Sequence, residues 1–276
     1  MAYLAAAPGV AEARPATEFE AGAPAGSGGL AGSGGFAGWR PGVASARAYA
    51  RSRAGDVAFS VRTRRLRRGL DEHAGFSSAS VVKAMLLVAY VRQPAVRRRA
   101  LAAAERALLS PMIRWSSNDD ATQVFGGVGP LALPALARRA GMRRFTGSVV
   151  WGASQITAAD QTRFFLRIDR LMPRRHRAYA MGLLRRIVPS QRWGVARVAP
   201  RGWTLHFKGG WTSAVEHQVA LLTRGRDRVA VAVLTSGSPG AAYGRATQEG
   251  VFRRLLRGLE GELGARWRGV PAVAAP

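Results

Sequence analysis

Ser80 and Lys83 stand three residues apart at the head of a run, Val81 to Val91, that is apolar on every side except at Lys83. Residues at i and i+3 share a helix face, so the hydroxyl and the amine can meet. The positive end of a helix dipole favours an alkoxide-like serine oxygen. Burial among Val81, Val82, Ala84, Met85 and Leu86 lowers a lysine pKa, toward a neutral amine that can take the serine proton. This is the chemistry of a serine nucleophile served by a lysine base. Lysine can lose its proton in a buried site and arginine cannot. Of the 42 Lys and Arg residues only Lys83 and Lys208 are lysine, so both positions are marked.

Composition narrows the remaining classes. The chain has 276 residues, 47% of them hydrophobic, and a formal net charge of +26. That length and apolar content suit one large domain or two intertwined subdomains, and exclude a wholly disordered chain. There is no cysteine, hence no disulfide framework, zinc finger or thiolate nucleophile. The four histidines (His73, His176, His206, His217) are scattered. No metal and no other cofactor is expected. No apolar run is long enough to span a bilayer. A coding bias toward Arg, Ala and Gly accounts for most of the positive charge. An anionic wall polymer is the partner such charge would admit. Specific nucleic-acid binding is not expected, because no basic run is interleaved with stacking aromatics.

The elements that must hold the two lysines can be read from pattern. Residues 1–40 have the Gly, Ala and Ser content of a flexible tail or linker. The start, Met1-Ala-Tyr-Leu, lacks the basic segment of a complete signal peptide. Residues 41–276 form the expected catalytic domain. Ala44–Arg53 reads as a short basic helix. Asp56–Arg62 alternates as a strand, and a second extended segment follows up to Gly75. Pro94 ends the buried helix. Residues 95–200 are mostly helical in pattern. Trp203–Lys208 reads as a strand, and Glu216–Leu222 with Arg228–Thr235 as a hairpin. A last helix carries Val251, Leu255, Leu259 and Leu263. The order predicts an α+β fold: an antiparallel sheet flanked by N- and C-terminal helices, with an inserted all-helical subdomain. The sheet subdomain is assigned to 41–79 and 201–276, and the helical one to 80–200.

Three short motifs in this order resemble those of the penicillin-recognising serine enzymes, which include the class A β-lactamases and the penicillin-binding proteins. Phe76-Ser-Ser-Ala-Ser80-Val-Val-Lys83 is similar to their Ser-x-x-Lys motif. Met112-Ile113-Arg-Trp-Ser116-Ser117-Asn118 is similar to their Ser-Asp-Asn motif. Gly202-Trp203-Thr-Leu-His-Phe-Lys208-Gly209-Gly210 is similar to their Lys-Thr-Gly strand. The resemblance implies Ser80 as the acylated nucleophile, Lys83 as its general base and Ser116 as a proton relay to the departing nitrogen. It implies Asn118 as the partner of Lys83 and of a substrate amide, and Lys208, Gly209, Gly210 and Trp211 as substrate-binding positions. The backbone N–H groups of Ser80 and Trp211 would form the oxyanion hole.

The resemblance also exposes departures. Class A β-lactamases deacylate with a glutamate between the second and third motifs, and this chain has none between Glu105 and Glu216. Gln155 and Asp160 are the residues left there to orient a water. Gly209 stands for the motif's Thr and Ser117 for its Asp. The leading expectation is a serine acyl-enzyme hydrolase opening a β-lactam or a related amide. The alternatives are a penicillin-binding-protein-like D-alanyl peptidase or esterase, a non-hydrolytic binding protein that kept the fold, and an electrostatic binder of polyanions. The expected partner is a small β-lactam or D-alanyl-peptide-like amide or ester. A monomer is expected, and the resemblance implies work outside the cytoplasm. The tryptophans read mostly as core fillers; Trp115 and Trp211 adjoin motif residues and are the two worth testing as ligand platforms.

Overall fold

The computed structural model describes residues 38–260. The proposed tail 1–40, except its last three residues, and Leu263 lie outside them. The alternating segment Asp56–Arg62 is strand β1, followed by β2 (Arg67–Leu70). The C-terminal half supplies β5 (Thr204–Trp211), β6 (Val215–Arg224) and β7 (Asp227–Ser236). These five strands make one antiparallel sheet in the order β2-β1-β7-β6-β5. Residues from both chain ends thus meet in the middle of the sheet, where Asp56–Arg62 pairs with Ala230–Ser236. Strands β6 and β7 are buried along most of their length. That requires cover on both faces, and it explains why they read as apolar runs rather than strict alternations. One face carries α1 (Val43–Arg51) and α9 (Ala241–Leu256), which pack on each other; α6 (Ala158–Leu171) also packs on the sheet.

The segment between the strands is helical: α2 (Lys83–Arg92), α3 (Ala103–Arg114), α4 (Asn118–Val128), α5 (Ala132–Ala140), α6, α7 (Arg174–Arg185) and the short α8 (Val195–Val198). Helix α2 is their hub and packs against α3, α4, α5 and α7. Every residue from Lys83 to Ala89, and Val91, is buried. A helix apolar all round is stable only in that position. Each fully buried Leu, Val or Met contributes about 1.5–3 kcal/mol, which is what allows α2 to carry a lysine in the same setting.

Two expectations change. The segment before Gly75 is not one continuous strand. Strand β2 stops at Leu70 and the chain reverses at Asp71, whose φ is +44°. The short β3 (Phe76–Ser77) then pairs with β4 (Gln155–Ile156) in a separate ribbon. Ser80 also does not open an α-helix. It sits inside a 3-10 turn, Ala79–Val82, that precedes α2. Positions i and i+3 eclipse in a 3-10 turn, so a spacing of three is compatible with either geometry.

Candidate active site

Three separate elements converge here: the 3-10 turn with the head of α2, the α3–α4 corner, and strand β5. The first contact is backbone to backbone. A Cβ built on Gly210 would lie 2.7 Å from both the Ser80 and the Val81 nitrogen, and 3.1 Å from the Ser78 oxygen. Only glycine lets β5 lie this close to the turn. The Ser80 N–H occupies the start of the turn, where a helix leaves donors unpaired. On β5, the Thr212 N–H donates inward to Val215 O at 3.0 Å. Successive strand amides point to opposite sides, so the Trp211 N–H points outward from the sheet edge. Gly210, the neighbour of Trp211 on β5, thus touches the turn that carries the Ser80 N–H.

Ser116 ties the two lysines together. Lys83 Nζ donates to Ser116 O at 2.6 Å, to Asn118 Oδ1 at 2.7 Å and to Ser116 Oγ at 3.3 Å. Lys208 Nζ donates to the same Oγ at 3.0 Å and to Gly209 O at 2.9 Å. Both lysine side chains are fully buried. Desolvation brings the Lys83 amine down from 10.5 to about 8, against a smaller opposing pull from the Asp120 carboxylate. Lys208 is held well below its usual range, first by burial and then by the neighbouring Lys83. A neutral Lys83 has two N–H bonds. Ser116 O and Asn118 Oδ1 accept both, which leaves the nitrogen lone pair for a hydroxyl proton. The expected Ser80–Lys83 contact is replaced by this arrangement. Among the described residues the Ser80 hydroxyl makes no hydrogen bond, and the amine turns to Ser116 and Asn118.

Backbone strain marks the same place. Among the described residues three non-glycine residues have positive φ, and two of them are Ala79 (+43°), beside Ser80, and Ser116 (+61°). Each such residue costs about 1–3 kcal/mol, and such strain persists where the surroundings over-determine it. Ser116 follows the end of α3, a position that glycine usually fills. A serine there aims a hydroxyl between two amines at the expense of local comfort. Ser117 plays a smaller part: its Oγ accepts from Asp120 N–H at 3.3 Å and caps α4.

A family model described as the beta-lactamase enzyme family matches residues 106–256. The chain belongs to that family. Solved structures agree on the fold. A β-lactamase from Sphaerobacter thermophilus is 20% identical with a TM-score of 0.68, covering 79% of this chain and 97% of that one. A class A β-lactamase from Mycobacterium abscessus is 18% identical with a TM-score of 0.66, over 78% and 98% of the two chains. A β-lactamase from Xanthomonas campestris is also 18% identical, at 0.66. No relative is found among the curated proteins.

The stretch between the second and third motifs sets an aromatic ring beside Lys83. Trp151, in the 3-10 turn Trp151–Ala153, sets its ring 4.9 Å from Lys83 Nζ, and its Nε1 donates to Thr122 Oγ1 at 3.2 Å. Asp160 is occupied elsewhere. Its carboxylate accepts the Arg143 and Arg144 N–H groups at 2.7–3.0 Å and lies 3.7 Å from Arg163. Gln155 is exposed on β4, where its amide bonds to Ala153 O. Neither residue reaches the lysines. Trp115, singled out for its place beside Ser116, is 51% exposed and lies under the Arg114 guanidinium. Trp211 stands edge-on to Trp193, with ring centres 6.2 Å apart.

Sequence reading missed two positioning residues. Trp151 is one, and its only signal was its place at the head of the stretch inspected for a glutamate. His217 is the other. Fully buried on β6, it joins Ser77 O through Nε2 at 2.9 Å and receives the Thr235 N–H at Nδ1. It thus braces the strand that leads into the Ser80 turn. Burial pushes its pKa down to about 4, so it is neutral at ordinary pH. Gly209 is not forced by space. A Cβ there would meet Trp193, Gln218 and His217 O at 3.6–3.7 Å, ordinary contact distances. Among the described residues no cluster of His, Asp and Glu could hold a metal ion.

Proposed function

We infer that the protein is a serine acyl-enzyme hydrolase that opens a β-lactam or a related amide through an acyl-Ser80 intermediate. The observation that carries this reading is the shared Ser116 hydroxyl, held at 3.3 and 3.0 Å by the chain's only two lysines. In the proposed reaction Ser80 Oγ attacks the carbonyl carbon, and its proton passes to neutral Lys83. The developing oxyanion is received by the Ser80 and Trp211 N–H groups. The C–N bond then breaks, and the proton on Lys83 reaches the leaving nitrogen through Ser116 Oγ. Lys208 faces the substrate's negative charge, while burial keeps the Lys83 pKa low. Asn118 holds the amine and a substrate amide. Water would complete the cycle by attacking the acyl carbon, with Lys83 as the base nearest to hand.

A second reading is a penicillin-binding protein that forms the acyl-enzyme and releases it slowly. It is favoured by the engagement of the Asp160 carboxylate away from the lysines and by the lack of a glutamate between Glu105 and Glu216. Family likeness adds an extracytoplasmic place of work to either reading.

A single labelling experiment tests both. The protein is incubated with a fluorescent penicillin and, separately, with a fluorophosphonate, and intact mass is followed over time. Mass added at Ser80 and lost in Ser80→Ala is the expected result. Rapid decay of the penicillin adduct identifies a hydrolase, and a persistent adduct a penicillin-binding protein. No adduct with either reagent refutes the acyl-enzyme reading.

A further inference from the structure

A cavity of about 480 Å³ lies between α8, α9 and the loop before α8, with Trp193 in its lining. Small-molecule sites typically enclose about 300–1,000 Å³. Arg192, Arg197, Arg245 and Arg253 line it, with Glu249 as the acidic residue among its lining. Glu249 is already committed: it lies 2.6 Å from Arg253 and 3.7 Å from Arg197. Arg192 reaches a backbone oxygen, that of Arg185, at 3.4 Å.

Arg245 differs from the other three. It donates no hydrogen bond among the described residues, and its Nε is sealed from solvent without an acceptor. Its guanidinium lies 5.3 Å from the Trp193 ring centre. The nearby Glu216 carboxylate offsets part of its charge without bonding to it. Trp193 is only 5% exposed, and its Nε1 is likewise buried with no acceptor. Buried donors are rarely left unpaired, and each one left so costs about 1–3 kcal/mol. Two such donors on residues that line one cavity, beneath an excess of guanidinium charge, describe a site short of acceptors.

We propose that this cavity is an anion site, in which Arg245 takes an oxyanion group, phosphate or carboxylate, of a small ligand whose body lies against Trp193. Arginine suits this role because its planar fork matches both groups with paired N–H bonds. The cavity is larger than a bare oxyanion needs, so the ligand carries the charged group on a larger body. Neither Ser80 nor either lysine is among its lining residues. The inference stands whether or not Ser80 is acylated.

The test follows the indole N–H resonance of Trp193 in a nitrogen-15 labelled protein, assigned by its disappearance in Trp193→Phe. Inorganic phosphate and citrate are titrated separately, with ionic strength held constant by sodium chloride. A saturable shift of that resonance is expected, and the ligand that binds more tightly identifies phosphate or carboxylate as the preferred group. Arg245→Ala should weaken binding by about tenfold, the loss of one charge-assisted pair. Arg245→Lys keeps the charge without the fork and should weaken it similarly. Arg65→Ala removes the same charge from the exposed β1–β2 turn and should change affinity less than about twofold. Near-ultraviolet circular dichroism checks that each variant is folded. A shift that never saturates, an equal loss in Arg245→Ala and Arg65→Ala, or no shift with either anion overturns the proposal.

Discussion

The α3–α4 corner and the loop ahead of α6 face the same lysine and are built in opposite ways. At the corner, Ser116 accepts a strained backbone so that its hydroxyl and its carbonyl both reach an amine. In the loop, Trp151 offers only an aromatic ring to Lys83, and the acidic residue that follows, Asp160, serves the backbone of Arg143 and Arg144. One side meets the amine with hydrogen-bonding oxygens and the other with an aromatic ring. Under the proposed reaction, such a site would form the acyl-enzyme with Lys83 and Ser116, and its breakdown would rest on the lysine alone.

The largest test of that contrast removes the amine. Lys83→Met should slow acylation of Ser80 by about 10²–10⁴-fold, the range for losing a positioned base, measured as the rate of adduct formation with fluorescent penicillin. Unchanged acylation would place the base elsewhere. Proton concentration tests the same group without mutation. Lys83 must be neutral to act and titrates at about 8, so acylation should fall about tenfold per pH unit below that value. A flat profile from pH 6 to 8 would remove Lys83 from the base role. Because the folded pKa lies below the ordinary 10.5, the unfolded chain binds more protons between those values. This group's contribution to stability therefore rises from about pH 8 to 10.5.

The loop is tested next. Asp160→Asn should cost about 1–3 kcal/mol of folding stability through its lost backbone pairs, read by urea denaturation, and leave the decay of the acyl adduct unchanged. Faster or slower decay would show that the carboxylate takes part in the chemistry and dissolve the contrast. The smallest effect is expected at Gly209. The space beside it takes a Cβ at ordinary distances, so Gly209→Thr should fold normally. Its added hydroxyl should speed acylation several-fold, the scale of one neutral hydrogen bond of about 1 kcal/mol. A slower reaction would mean that the missing side chain is itself an adaptation.

Much of this was legible in the sequence because it was local or rare. Alternation in Asp56–Arg62, the apolar run around Lys83 and the hairpin near Thr223–Asp227 depend on neighbours in the chain, and they appear close to where periodicity puts them. Lysine scarcity picked out Lys83 and Lys208 before any geometry was known. What stayed hidden has physical causes. The 3-10 turn at Ser80 shares its i, i+3 pairing with an α-helix, so spacing cannot separate them. The positive φ of Ser116 leaves no compositional trace, since glycine would be the usual occupant. Trp151 and the arginine cavity depend on segments that only the fold unites: residues 151 with 83, and 189–197 with 242–253.

The burial of both lysines has a practical corollary. Apart from the α-amino group, they are the chain's only primary amines, and the native protein presents neither to solvent. Forty arginines are inert to acylating reagents at neutral pH, so a dye that seeks amines finds no side chain until the core around the two lysines opens. Its rate of side-chain incorporation is then a direct clock for that opening. The protein carries a built-in reporter of its own active-site breathing, with no label to be engineered.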